Sequence, residues 1–93
     1  MEGSSPFLRL DAWLWQARLA KTKSACGALI LAGGFRLNRQ PVTKAHARVR
    51  VDDVLTFVAQ GKVRVWRVRA LGERRGSAED AQGLYEEIPE AEQ

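Results

Sequence analysis

Basic side chains and hydroxyl groups are concentrated between residues 9 and 44. This segment holds seven basic residues and one acid, Asp11, so its net charge is 7 − 1 = +6. Within it, Thr22, Lys23 and Ser24 follow one another directly. A helix beginning there would bring unpaired backbone N–H groups and a positive dipole end beside two hydroxyls and a cation, a combination that accepts phosphate. The seven basic residues are Arg9, Arg18, Lys21, Lys23, Arg36, Arg39 and Lys44.

The charge of the whole chain is divided unevenly. Residues 1–76 carry all 15 basic residues and five acids, a net of +10, whereas residues 77–93 carry six acids and no base, a net of −6, which together give +4. Such asymmetry indicates a nucleic-acid or anionic-membrane surface. A solvated basic face, with Thr22 and Ser24 acting only as helix caps, is the alternative. We favour phosphate binding, because a predicted hairpin adds further cations to those of the helix corner.

Groups suited to catalysis or metal binding are sparse. Asp52 and Asp53 are neighbours in a predicted turn and do not form an acid/base pair. His46 has no evident Cys or Ser partner, and one histidine with one cysteine, Cys26, cannot build a structural zinc site. No phosphate-loop, dinucleotide or zinc-hydrolase motif occurs. We therefore expect no enzymatic activity, no cofactor and no metal. The single cysteine and the shortness of the longest apolar run, Ala28–Ala32, favour the cytoplasm.

Two short helices are predicted to position the Thr22–Ser24 corner. The first begins at Leu10, and Asp11 is expected to cap it and to orient Arg18 seven residues later. The second begins at Thr22 or Ser24 and ends at Gly33-Gly34, where glycine accommodates a left-handed backbone. Its predicted inner face consists of Ala25, Leu29 and Ala32.

Short strands are predicted to follow the helices. A hairpin turns at residues 38–40, where Arg39 replaces the glycine that usually follows asparagine in a two-residue turn. The alternation of apolar residues shifts between Val65 and Trp66, which predicts a bulge. Ser77 and Asp80 resemble a capping box, and Leu84, Tyr85 and Ile88 follow at helical spacing. The predicted strands are Arg48–Val51, Val54–Ala59 and Val63–Leu71.

The motif order resembles that of a known family. The segment RLDAWLWQARLAKTKSACGALILAGGFRLNRQPV is similar to the S4-type RNA-binding domain over about Leu8–Phe57, and more closely to the heat-shock protein 15 family of ribosome-associated proteins. This resemblance implies an α+β fold, with two short helices packed on a small bent antiparallel sheet and a short C-terminal helix or tail. The implied division is a flexible lead at 1–8, the S4-type domain at 9–76 and an acidic tail or short helix at 77–93.

The resemblance also implies a function and a site. It implies non-catalytic binding of structured RNA, above all ribosomal RNA of the large subunit, in recycling or rescue of stalled subunits under heat stress. The implied partners include tRNA-linked nascent-chain complexes. Apart from the resemblance, we expect a cytoplasmic monomer that does not bind membranes. Arg39 adds a charge at the hairpin tip. The RNA-contacting positions carried over by motif are Arg9, Arg18, Lys21, Thr22, Lys23, Ser24, Arg36, Asn38 and Lys44.

Two alternatives and two departures from the family accompany this prediction. The chain could serve as the RNA-binding subunit of an RNA-modifying enzyme, or as an interaction module whose acidic tail occupies the basic face or docks another protein. Arg39 stands where the family usually has glycine, and Asp52 stands where glycine commonly precedes Asp53.

Overall fold

The computed structural model describes residues 6–89, so most of the predicted lead and the last four residues lie outside it. Within this range the expected α+β fold is confirmed. The helices are α1 (Leu10–Gln16), α2 (Lys23–Leu31) and α3 (Ala78–Gln82). The strands are β1 (Leu8–Arg9), β2 (Arg36–Leu37), β3 (Gln40–Pro41), β4 (Arg48–Val49), β5 (Val54–Ala59), β6 (Lys62–Val68) and β7 (Tyr85–Glu87).

The limits of α1 and α2 are set by residues at their ends. The Thr22 Oγ1 accepts a hydrogen bond from the Ala25 N–H at 3.0 Å, so Thr22 is the N-cap of α2. Gly33 and Gly34 follow α2 with φ values of 95° and 91°, which confirms the predicted glycine stop. Asp11 lies inside the first turn of α1, one residue after Leu10, and the predicted cap at Asp11 is wrong because Arg9 occupies that position.

The predicted inner face of α2 is wrong by one position. The buried residues are Cys26, Gly27 and Ile30, whereas Leu29 is 44% exposed. The short apolar run of α2 has small or aliphatic residues on several sides, so its pattern does not specify one face. Packing against α1 and against Ala45, whose Cβ would lie 3.6 Å from a Cβ at Gly27, selects the buried side.

The antiparallel strands form two sheets. One is the β1–β4 pair, and the other has the order β3-β2-β5-β6-β7. The β5–β6 register runs without interruption from Val54↔Arg67 to Ala59↔Lys62, so the predicted bulge is wrong. Val65 is buried although it lies on the face opposite Trp66, and the Ile88 N–H donates to its carbonyl at 2.8 Å.

The acidic C-terminal segment belongs to the fold as far as Pro89. Ser77 and Asp80 form the predicted capping box, with both reciprocal hydrogen bonds present. The helix ends at Gln82 rather than continuing, because β7 pairs with β6 and places the Tyr85 ring on Trp66 with centroids 3.8 Å apart. Trp66 also meets Trp13 and Phe57 edge-on, so the tail closes an aromatic core.

Candidate nucleic-acid interface

The loop between α1 and α2, together with the first residues of α2, forms a cationic surface that we call the helix corner (residues 17–24). Its backbone reverses at Arg18, which has a φ of 65°. Thr22 uses its hydroxyl as the helix cap, whereas Ser24 is exposed and its hydroxyl makes no hydrogen bond among residues 6–89. The structure thereby brings together five predicted site residues, all exposed: Arg18, Lys21, Thr22, Lys23 and Ser24.

The Trp15 ring contacts a lysine of the helix corner. Its half-buried ring packs against the core, and the Lys23 ammonium lies 4.8 Å from the ring centroid. A cation placed over an indole face is attracted by the ring quadrupole, which restrains the lysine without consuming its N–H donors. Lys23 is therefore held near the N-terminus of α2 with its donors free to meet a phosphate.

Arg75 positions the corner, and sequence analysis missed it. Its guanidinium donates to the carbonyls of Trp15 at 3.2 Å, Lys21 at 3.3 Å and Ala20 at 3.4 Å. These carbonyls belong to the end of α1 and the following loop, where intrahelical donors run out. The contacts span 54 to 60 residues along the chain, so no local pattern indicates them.

Arg18, another predicted cation of the corner, binds the residue that follows Arg75. The Arg18 guanidinium donates to the Gly76 carbonyl at 3.0 Å, and no contact joins it to Asp11. Asp11 instead accepts from Arg9, with Nε to Oδ1 at 3.1 Å and Nη2 to Oδ2 at 2.9 Å. The predicted orientation of Arg18 by Asp11 is therefore wrong, because the carboxylate is satisfied by a nearer guanidinium.

The β2–β3 hairpin carries three further predicted residues. Asn38 and Arg39 form a two-residue turn with φ values of 51° and 75°, the primed geometry that suits the twist of a hairpin. Asn38 accepts from the Val54 N–H at 2.9 Å and donates to Asp53 Oδ1 at 2.9 Å, so its amide anchors the hairpin on the start of β5. Arg36 and Arg39 remain exposed beside it.

Two acids of the C-terminal segment lie on β7 and pair with arginines. Glu87 pairs with Arg64 and accepts from the Trp66 indole N–H at 3.2 Å, and Glu86 lies 3.6 Å from Arg69. The hydrogen bond from Arg64 lowers the pKa of Glu87 below its ordinary value and raises that of Arg64. Among residues 6–89, no ion pair involves the exposed cations of the helix corner, so the corner keeps its positive charge.

Groups for chemistry remain as sparse in the fold as in the sequence. Cys26 is fully buried, and burial is the main cause that raises the pKa of its thiol. No cluster of three or more potential metal ligands occurs among residues 6–89. Within the same range, no helix has the length and apolar character needed to cross a membrane. Lys44, the last predicted residue, is exposed in the connection between β3 and β4.

Known proteins share this arrangement. The S4 domain family model matches residues 8–55. Heat shock protein 15 of Escherichia coli K12 is 36% identical over 84 residues, which cover 90% of this chain and 62% of that protein. The Haemophilus influenzae heat shock protein 15 homolog is 36% identical over 80 residues, which cover 86% and 60%.

A solved structure extends the likeness to three dimensions. The trimeric structure of Vibrio cholerae heat shock protein 15 matches with a TM-score of 0.81 and 29% identity, covering 89% of this chain and 83% of that one. The chain spans only about three fifths of the length of the two curated relatives, at 60% and 62%. Membership of the matched family supports RNA binding. Because the S4 model covers more than half of the 93 residues, the chain belongs to the S4 domain family.

Proposed function

We propose that this chain binds structured RNA through the helix corner and the β2–β3 hairpin, and does so without catalysis. The observation that carries the proposal is the exposed set of corner cations at a capped helix N-terminus, while Glu86 and Glu87 are paired with Arg69 and Arg64. Backbone N–H groups and hydroxyls there can donate hydrogen bonds to phosphate oxygens, and binding of the lysines and arginines to phosphates releases counterions from the RNA.

The expected affinity is dominated by salt-dependent electrostatics. If the surface neutralises four to six phosphates, the logarithm of the binding constant falls with the logarithm of salt concentration with a slope of roughly −3 to −5. Contacts of this kind carry no sequence information by themselves. The chosen RNA is therefore recognised by its folded shape in addition to its charge.

The test neutralises two corner lysines. Lys21→Gln together with Lys23→Gln removes two charges whose side chains make no hydrogen bond among the described residues, whereas Arg18 is less suitable because it binds Gly76. We expect the salt slope measured by fluorescence anisotropy to become shallower by about 1.4–1.8, and affinity near 0.1 M salt to fall about 30-fold. The matched control, Lys62→Gln with Arg67→Gln, removes two exposed charges from β6.

Two outcomes would contradict the proposal. One is wild-type protein that fails to bind any folded RNA. The other is an equal loss of affinity in the corner variant and the β6 control, because that would show attraction to net charge rather than contact at the corner. Thermal unfolding of each variant establishes that the fold is retained.

Ribosomal RNA of the large subunit is the RNA that we propose, with a role in recycling or rescue of stalled subunits under heat stress. The resemblance to heat shock protein 15 along most of this chain supports it. Sedimentation of cell extracts before and after a temperature shift, with detection of the protein in each ribosomal fraction, tests this role. Enrichment in the free large-subunit fraction after heating is expected, and an unchanged position at the top of the gradient would refute it.

We propose a monomer in the cytoplasm as the RNA-binding form. The Vibrio cholerae relative was solved as a trimer, so self-association of this chain is the competing possibility. Light scattering coupled to size exclusion, with and without RNA, distinguishes the two states. A concentration-independent mass of three chains would overturn the monomer.

A further inference from the structure

We propose that the outer face of the β1–β4 pair is a second phosphate-binding surface for the same RNA, centred on Arg48 and Arg50. This inference rests on the proposed RNA-binding function and extends it to two arginines that are not among the RNA-contacting positions predicted from the sequence. We call this surface the arginine ladder. Its residues are Phe7, Arg9, Arg48 and Arg50.

Strand register places the ladder residues on one face. Leu8 pairs with Val49 and Arg9 pairs with Arg48. Val49 is fully buried, so the Leu8–Val49 pair faces the core. Because side chains alternate along a strand, Arg9 and Arg48 lie on the opposite, outer face. Phe7 and Arg50, which flank the Leu8–Val49 pair on its other side, lie on that outer face too. Three guanidinium groups are thereby gathered on a two-stranded sheet.

An aromatic ring organises two of these guanidinium groups. Arg48 lies with its guanidinium carbon 4.5 Å from the Phe7 ring centroid, and Arg50 lies with its own at 5.5 Å. Phe7 is 43% exposed, so its ring lies at the surface beside the two guanidinium groups. Contact with a ring face restrains an arginine side chain but uses none of its five N–H donors.

The guanidinium donors of Arg48 and Arg50 are available to a ligand. Among residues 6–89, neither the Arg48 nor the Arg50 guanidinium donates a hydrogen bond or lies in an ion pair, although the Arg50 backbone N–H is held by Asp53 Oδ2 at 2.8 Å. By contrast, Arg64 on β6 and Arg69 just after β6 are paired with Glu87 and Glu86. Arg48 and Arg50 are therefore two restrained cations of the ladder whose N–H donors can bind an anion.

RNA phosphate is the anion that fits this arrangement and its location. A planar guanidinium binds a phosphate through two parallel N–H···O bonds, and pre-organisation by the ring reduces the entropy lost on binding. The ladder joins the N-terminal end of α1, because the Leu10 N–H donates to the Ala47 carbonyl at 2.8 Å. The helix corner follows the other end of this helix, whose seven residues span about 10 Å at 1.5 Å per residue, a length equal to the axial rise of about three base pairs of a duplex.

The experiment neutralises the ladder without disturbing its buried face. Arg48→Gln with Arg50→Gln retains the alkyl stems, and the control is the β6 variant Lys62→Gln with Arg67→Gln. A labelled RNA hairpin of arbitrary sequence is a sufficient probe, because phosphate contacts do not depend on sequence. We expect the ladder variant to lose about 1.4–1.8 from the magnitude of the salt slope and about 30-fold in affinity near 0.1 M salt, with the control changed less than twofold.

Further variants separate charge from structure. Arg48→Lys with Arg50→Lys should keep the wild-type slope while losing affinity, since lysine retains charge but lacks the bidentate fork. Phe7→Leu should weaken binding with the slope retained. Combining the ladder and corner neutralisations should add their slope changes, because the two surfaces contact different phosphates.

The outcomes distinguish this inference from the function on which it rests. If wild-type protein binds no RNA, both are overturned. If wild-type protein binds and the corner variant is impaired, an unchanged slope in a folded ladder variant overturns the ladder alone. The ladder would likewise be overturned if the ladder variant lost binding to a polyglutamate peptide but kept its binding to RNA. The surface would then serve an acidic protein. Should the Gln variant unfold, the Lys and Phe7→Leu variants provide the decision.

Discussion

The hairpin tip carries a non-glycine residue in a left-handed conformation, and replacing it with glycine should separate stability from RNA binding. Arg39 has a φ of 75° and an exposed side chain. Its carbonyl, which lies 3.5 Å from the Arg36 guanidinium, is a backbone group that glycine retains. Arg39→Gly thus removes a strained conformation and one charge, and leaves the other described contacts of the turn in place.

The magnitude follows from two opposing effects. An L-residue in the left-handed region costs about 1–2 kcal/mol, which glycine avoids. Glycine also gives the unfolded chain more freedom, which offsets about 0.4–1 kcal/mol of the gain. We therefore expect Arg39→Gly to raise the free energy of unfolding by about 0.8 kcal/mol, equivalent to an increase in Tm of roughly 3–6 °C for a domain of this size.

Arg39→Ala is the matched control for the stability measurement. Alanine removes the same side chain but keeps a Cβ in the left-handed region, so it should show no stabilisation. Both variants should lose the same phosphate contact, with salt slopes shallower by about 0.7–0.9 and lower RNA affinity. Chemical denaturation and fluorescence anisotropy on the three proteins provide the two readouts.

The result that would refute this reasoning is equal stability of the Gly and Ala variants, because backbone strain would then contribute nothing. Wild-type salt slopes in both variants would separately remove Arg39 from the RNA surface. Asp52 provides an internal comparison, since it too has a positive φ, 78°, at a position where glycine is usual. Aspartate tolerates this region better than arginine, so Asp52→Gly should stabilise by only a few tenths of a kcal/mol.

Three further predictions concern the core and the C-terminal segment. Deleting residues 77–93 should cost at least ~3 kcal/mol and leave much of the chain unfolded, because Tyr85 no longer covers Trp66; a native-like near-ultraviolet circular dichroism spectrum would contradict this. Because Arg64 lowers the pKa of Glu87, the stability from this contact is present above the ordinary glutamate pKa of about 4.3 and is lost as the pH falls through the lower folded value. Acid titration should show a shallower loss in Glu87→Gln, and identical curves would exclude this contribution. Burial raises the pKa of the Cys26 thiol, so alkylation should follow global unfolding; rapid labelling of the native protein would show that α2 opens locally.

The sequence alone determined the helix corner and its termini. Helix caps and stops depend on residues at most three or four positions apart, so a local stretch of sequence is enough to predict them. This holds for the cap at Thr22, the stop at Gly33-Gly34 and the Ser77–Asp80 capping box. The motif order also predicted the fold class and the S4 family.

Tertiary structure decided which groups remain free to bind. Asp11 pairs with Arg9 rather than orienting Arg18, and Arg75 reaches the corner from more than 50 residues away. The tail forms a strand on β6, because pairing with a neighbouring strand and stacking on Trp66 outweigh the helical spacing of a short segment. Pairing across long sequence separations depends on positions that no local window contains. Sequence therefore predicted where the cations are, while the folded chain determined which of them are neutralised.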